Sequence, residues 1–241
     1  MQGFDIGDVV KTGAGAWSRN VLAFTLIGVV VFIPLHVLSF AGYFISSPAL
    51  LWLMVPLQLV LNFTLNCLVT GAVTYGVVQD LRGQRVTLAE CTQVGAAQLV
   101  PLLMVGALTG LVTMVGFMML VIPGILVMCM LWVVVPVAVI EHKGVMESFS
   151  RSAELTRGSR GSILMTVIAL GILMAVGRGV LGLFTSFLGP FGALLQSFYS
   201  AGVTSVFAAI TAAGYYRLRA MRDGVTAQDL AAAFADTYRQ R

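Results

Sequence analysis

Charge is what this sequence has least of. Only 14 basic and 10 acidic side chains occur among 241 residues, while 59% of the chain is apolar. Soluble domains carry about a quarter charged residues, so this composition argues against a water-soluble globule and against a disordered chain. Cysteine is scarce too. Cys67, Cys91 and Cys129 show neither metal-ligand spacing nor a disulfide framework, and they read as small packing residues. No run of five basic residues and no interleaved basic–aromatic patch occurs, which removes the usual footprint of nucleic-acid binding. Catalytic signatures are missing as well. Glu141-His142 is not part of an HExxH spacing, and there is no GxSxG, P-loop or dinucleotide fingerprint. The expectation is a non-enzyme with no catalytic residue, no metal and no cofactor.

What is present is long charge-free stretches. Sixty residues separate Arg19 from Asp80, 50 separate Glu90 from Glu141, and the 56 between Arg160 and Arg217 contain one charge, Arg178. A membrane-crossing helix needs about 20 apolar residues, so each stretch holds two. Turn residues fall near the middle of each: Ser46-Ser47-Pro48, Pro123-Gly124 and Gly189-Pro190. The fold expected is all-α, an integral membrane protein of six spans (21–45, 49–79, 99–121, 125–140, 162–188 and 191–216) paired as three hairpins (21–79, 99–140 and 162–216). Pro136 interrupts the fourth span. A membrane β-barrel needs short strands of alternating polarity, and the run LIGVVVFIPL does not alternate.

Orientation follows from the same pattern. The segments 1–20, 80–98, 141–161 and 217–241 hold 13 of the 14 basic residues and all ten acids. The positive-inside rule puts that face, with both termini, in the cytoplasm. The first apolar run is too long for the core of a cleavable signal. The cytoplasmic pieces read as amphipathic helices over 4–18, 87–98, 145–157 and a tail at 225–239, within one membrane domain spanning 1–241. In the third, Val145, Phe149, Ala153 and Thr156 share one face; Glu147, Arg151 and Glu154 lie opposite, with Glu147 and Arg151 spaced to pair. Thr87 with Glu90 fits a capping box, and Thr226 is placed to cap the tail helix. An acid recurs in the first turn at Asp8, Glu90 and Glu147, where it suits the helix dipole. That recurrence suggests a three-fold repeat of surface helix plus two spans. Gly7, Gly13 and Gly15 weaken the first helix.

Four polar residues inside the spans stand out as candidate ligand-binding positions: Arg178, His36, Gln58 and Asn62. Counted from their turns, His36, Gln58 and Arg178 come to comparable depth. Arg178 is flanked by Gly177 and Gly179. An intramembrane charge costs about 2.5–3.5 kcal/mol on insertion scales and marks a functional site by default. Arg178 reads as an anion site, with the glycines giving access, or as a snorkelling residue if the span closes near Val180. Gln58, Asn62, Asn66, Thr70 and Thr74 recur at i+4 steps, giving either a polar pocket or a row of interhelical hydrogen bonds. Gly106 and Gly110, and the series Ala193, Ser197, Ala201, Ser205, Ala209, Ala213, read as close-packing faces within the bundle or between copies.

The stretch 123–158, PGILVMCMLWVVVPVAVIEHKGVMESFSRSAELTRG, carries a resemblance. Pro123-Gly124, Trp132, Pro136, Glu141, Gly144, Arg151-Ser152, Leu155-Thr156 and Gly158 resemble a bacterial family of six-helix membrane proteins. That family is related to the membrane domain fused to some glycerophosphoryl diester phosphodiesterases and to YciC-like proteins of unknown function. The resemblance implies a bacterial inner-membrane protein in a lipid or envelope context. It does not imply hydrolysis, which in the fused proteins belongs to a separate soluble domain. Two functions are expected from all this. The first is a non-enzymatic scaffold or interaction component of a membrane assembly or of lipid organisation. Its partners would be membrane lipids, and proteins or further copies held through the small-residue faces, without nucleic acid. The alternative is a transporter or binder of an amphipathic, lipid-like anion.

Overall fold

The computed structural model describes residues 5–42, 47–81, 91 and 98–224, and among these there is no strand. Nine α-helices lie wholly within the described residues, in order: α1 (Ile6–Arg19), α2 (Val21–Gly42), α3 (Pro48–Leu81), α4 (Leu99–Met119), α5 (Val121–Met130), α6 (Val134–Glu141), α7 (Val145–Leu155), α8 (Arg160–Thr185) and α9 (Gly189–Asp223). A 3-10 turn, Ser186–Leu188, joins the last two. Among the described residues six stretches are long and apolar enough to cross a membrane: Val21–Gly42, Leu61–Leu81, Leu99–Met119, Val121–Glu141, Arg160–Leu188 and Leu194–Asp223. The connector at 87–98 (Cys91 and Gln98 apart) and the tail at 225–239 lie outside the described residues, and with them the caps expected at Thr87 and Thr226.

The fourth stretch is two helices, because Leu131–Val133 form a turn between α5 and α6. Pro136 explains the break. Inside a continuous helix its ring would clash with the carbonyl of Trp132, whereas the first turn of a new helix needs no amide there. The break strands the Met130 carbonyl, and α7 covers it: Ser152 Oγ donates to it at 2.7 Å. The second turn also falls earlier than expected. Leu120 is extended (φ −172°, ψ 157°) between α4 and α5, so Pro123 and Gly124 sit in the first turn of α5. Pro is compatible with that position, and Gly124 lets α5 close on α4, since a Cβ there would lie 2.9 Å from the Phe117 Cα.

Two apolar cores form. One surrounds α6, whose Val134–Ile140 are all buried, with Leu102, Val105, Leu155, Ile163, Tyr215 and Leu218. The other joins α1, α2, α3 and α9 through Ala16, Phe24, Ile27, Val69, Val73, Val77, Ala208 and Ala209. Cys67, Cys91 and Cys129 are buried in these cores. The small-residue faces are used inside the chain. Ala201, Ser205, Ala209 and Ala213 are buried, and Trp17 of α1 donates to Ser205 Oγ at 2.9 Å.

Ion pairs gather at helix ends. Arg19 pairs with Asp80 at 2.6 Å, and the hydrogen bond to that carboxylate holds its guanidinium above the ordinary value. Arg151 departs from the sequence expectation. It turns inward rather than to Glu147, joining Glu141 (3.3 Å), Glu154 (3.2 Å) and Asp223. Burial works against its charge, but the three carboxylates outweigh burial and raise its pKa. Lys143 (2.9 Å) and the Tyr215 hydroxyl (3.0 Å) complete the shell of Glu141. The fully buried residues of α7 are Ser148, Ser152 and Leu155; of the expected face, Thr156 just beyond the helix is buried and Val145 and Phe149 are partly buried against the core. Of the three acids in the apparent repeat, Asp8 and Glu147 do occupy first turns, in α1 and α7; Glu90 lies outside the described residues.

Candidate functional site

Helices α2, α3, α8 and α9 line an open-sided cavity of about 970 Å³. Thr185, Ser186, Gly189 and Gly192 place it at the end where α8 turns into α9. All four residues singled out from the sequence, Arg178, His36, Gln58 and Asn62, line it.

His36 comes one turn after Phe32 on α2, so both face the cavity. The imidazole is only 6% exposed. It lies 6.2 Å from the Phe32 ring and 5.3 Å from the Phe198 ring. Both ring nitrogens are buried without a hydrogen-bond partner. Leaving a buried polar group unbonded costs about 1–3 kcal/mol, so this position is held against a cost in stability.

On α3 the polar ladder divides. Gln58, Asn62 and Asn66 line the cavity. Below them the hydroxyls turn onto their own helix: Thr70 donates to the Asn66 carbonyl (2.8 Å) and Thr74 to the Thr70 carbonyl (2.6 Å). Asn66 Nδ2 likewise donates to Asn62 Oδ1 at 2.9 Å. The lower ladder is thus satisfied within one helix, not between helices as the sequence suggested. Such i−4 bonding by Thr is available to any helix.

Arg178 is exposed on α8, and no hydrogen bond or ion pair engages it among the described residues. Helix α8 runs on past Val180 to Thr185. Exposed Leu173, Val176 and Val180 surround Arg178 along this helix, which is the least buried of the six apolar stretches. The flanking glycines differ from expectation. Gly177 makes room for the Tyr199 hydroxyl rather than for a ligand, while the space beside Gly179 is open.

The α9 wall was not read from the sequence. Gln196, Ser200 and Thr204 all line the cavity at the same i+4 step that marked α3. Gln196 Nε2 donates to Thr185 Oγ1 at 3.1 Å, and the Tyr199 hydroxyl donates to the Met174 carbonyl at 3.4 Å. Interleaving with the small-residue series hid this stripe; Ser197, placed in that series, also lines the cavity. A second concavity of about 630 Å³ is lined by Arg157, Arg217 and Arg222, with Arg222 donating to the Arg157 carbonyl. Among the described residues no group of three or more His, Cys, Asp or Glu side chains is placed to hold a metal ion.

Residues 104–240, more than half of the chain, match the family model described as a domain of unknown function (DUF7847). No curated protein and no solved structure matches.

Proposed function

This chain belongs to the DUF7847 family, whose function is unknown, and we propose from its own cavity that it binds an amphipathic, lipid-like anion within the membrane. The observation that carries this reading is the convergence on one cavity of a cation, Arg178, and a buried imidazole, His36, with no partner for either ring nitrogen. Arg178 supplies charge-assisted hydrogen bonds to an anion. Gln58, Asn62 and Gln196 supply neutral donors and acceptors. Exposed apolar residues beside Arg178 offer a path for acyl chains along α8.

The protein sits, in this reading, in the bacterial inner membrane as three antiparallel hairpins. Its charged helix ends face the cytoplasm by the positive-inside rule, and α1 and α7 lie at that surface. The cavity, at the α8–α9 turn, then belongs to the outer half of the bilayer. The likeness of 123–158 to envelope-associated membrane domains supports the same setting. The scaffold reading rests on uncharged outer turns, small-residue faces and interfacial helices, and of these α9 uses its small-residue face against α1 inside the chain. Binding is therefore the function carried forward, with no catalytic step.

Arg178→Ala tests it. The full chain is purified in mild detergent and its bound lipid counted by native mass spectrometry. Losing a charge-assisted contact of about 1.5–3 kcal/mol lowers occupancy by anionic lipid roughly tenfold or more, with helicity by circular dichroism unchanged. Arg178→Lys, a point charge in place of a planar fork, retains part of the binding. Equal anionic lipid on the wild type and on Arg178→Ala would overturn the proposal.

A further inference from the structure

We infer that the concavity of about 630 Å³ between the start of α8 and the end of α9 is a second anion site, shaped for a phosphate monoester. It lies at the opposite end of α8 from the cavity at Thr185. A helix of 26 residues sets the two about 40 Å apart, and either site can fail without the other.

Three arginines line this hollow, Arg157, Arg217 and Arg222, and among the described residues no acidic side chain does. Other arginines at the helix ends are neutralised: Arg19 by Asp80, Arg151 by Glu141, Glu154 and Asp223, and Arg219 by Asp223 at 3.4 Å. In the hollow Arg217 reaches Asp8 at 3.8 Å. Arg157 and Arg222 have no ion-pair partner among the described residues. These residues therefore leave a surplus of two positive charges in one place.

Membrane orientation accounts for basic residues at this end of the helices, and the ends of α7 and α9 each favour a nearby cation. Neither effect requires the cations of two helices to meet. Here they meet at the start of α8, whose first-turn amides add positive partial charge of their own: the first bond of that helix runs from the Ile163 amide to the Ser159 carbonyl (2.9 Å), and Ser159 lines the hollow. Gly158, at φ +84°, turns the chain between α7 and α8. Arg222 donates to the Arg157 carbonyl beside that turn, which places its guanidinium with further donors to spare. Like charges gathered in this way repel one another until an anion joins them.

Two surplus charges match a phosphate monoester, which carries about −1.5 to −2 at pH 7 and three acceptor oxygens. A phosphodiester carries one. The guanidinium fork suits phosphate oxygens. One apolar stretch starts at Arg160 and another ends at Asp223, so the hollow falls at head-group level, where basic pockets between helices hold lipid phosphates. Met221, 42% exposed, gives it an apolar rim.

The test uses the full chain with Arg178→Ala, which removes the cation of the first site, in mild neutral detergent. Phosphatidic acid and phosphatidylglycerol of the same acyl chains are titrated and counted by native mass spectrometry. One phosphatidic acid binds per chain, roughly tenfold more tightly than phosphatidylglycerol, the worth of one further charge-assisted contact. Adding Arg157→Gln and Arg222→Gln lowers its affinity at least tenfold. Both residues are exposed, and helicity by circular dichroism stays unchanged. Should the pair not fold, Arg157→Gln alone, which keeps the backbone carbonyl that Arg222 uses, reports a several-fold loss. Inorganic phosphate is run as a competitor. Displacement of the lipid at millimolar phosphate would support a soluble phosphate as the source, and failure to displace would support the lipid. Equal affinity for phosphatidic acid with and without the two arginines would overturn the inference, as would equal binding of the two lipids. Binding already abolished by Arg178→Ala alone would overturn it too, while leaving the first site standing.

Discussion

Replacing Arg151 by alanine lowers the stability of the folded chain by about 3 kcal/mol. Removing one partner of a buried ion pair costs about 3–5 kcal/mol, because it leaves the other charge buried and uncompensated. The Glu141 side chain is 8% exposed and that of Arg151 15%, so bulk water does not take over. Lys143 and Tyr215 still reach Glu141 at 2.9 and 3.0 Å, which places the loss at the lower end of that range. Arg151 also joins α7 to the end of α9 through Asp223, so the loss loosens three helices together. Lysine at this position carries the charge without the planar fork and recovers part of the stability. Unfolding in micelles followed by tyrosine and tryptophan fluorescence reads the difference, and an unchanged midpoint for Arg151→Ala would show that the cluster contributes no net stability. Glu147→Ala, at an exposed acid of α7, serves as the control and moves the midpoint little.

Gly13→Ala sets two effects against each other. In an isolated helix the change is favourable by about 1 kcal/mol. In the folded chain the new Cβ lies 2.6 Å from the Ile210 Cα, 2.9 Å from the Ile210 nitrogen and 3.0 Å from the Ala209 carbonyl oxygen. These are backbone atoms of α9 and cannot swing aside. Overpacking of this kind costs about 1–3 kcal/mol, and here α1 must lift off α9, straining the bond from Trp17 to Ser205 (2.9 Å). The expected pattern is a peptide of residues 5–19 that becomes more helical while the whole protein becomes less stable. Gly15→Ala separates the two effects, because its Cβ would meet only Arg19 at an ordinary 3.5 Å; that variant stabilises both peptide and protein. A Gly13→Ala protein at least as stable as the wild type would show that α1 has room to shift.

The spans were legible because lipid imposes the harshest rule on a sequence. Charges leave the bilayer, so Arg19, Asp80, Glu141 and Arg160 bracket the apolar stretches almost by themselves. Three of the cavity residues were legible for a related reason: His36, Gln58 and Arg178 are polar exceptions in apolar runs, and counting from the turns brings them level. The break at Leu131–Val133 was harder to place, since a proline acts on the turn before it and Pro136 sits inside the second piece. Arg151 misled because an i, i+4 partner is visible in sequence while Glu141 and Asp223 are not. Gln196, Ser200 and Thr204 were overlooked because serine and threonine also serve as small packing residues, and the spacing does not say which neighbour the hydroxyl meets. Gly177 is the same lesson in reverse. It serves Tyr199, a residue 22 positions away, and no local pattern announces that.

The carbonyl left open where the fourth span breaks has a consequence for biosynthesis. Met130 is translated 22 residues before Ser152, whose hydroxyl covers it. As the nascent span enters the bilayer, that oxygen has no protein partner and must keep company with water. Only when α7 has emerged and folded back does the defect close. The order of manufacture therefore makes α7 a late component of the apolar segment that precedes it, and the bend is finished only once both are made.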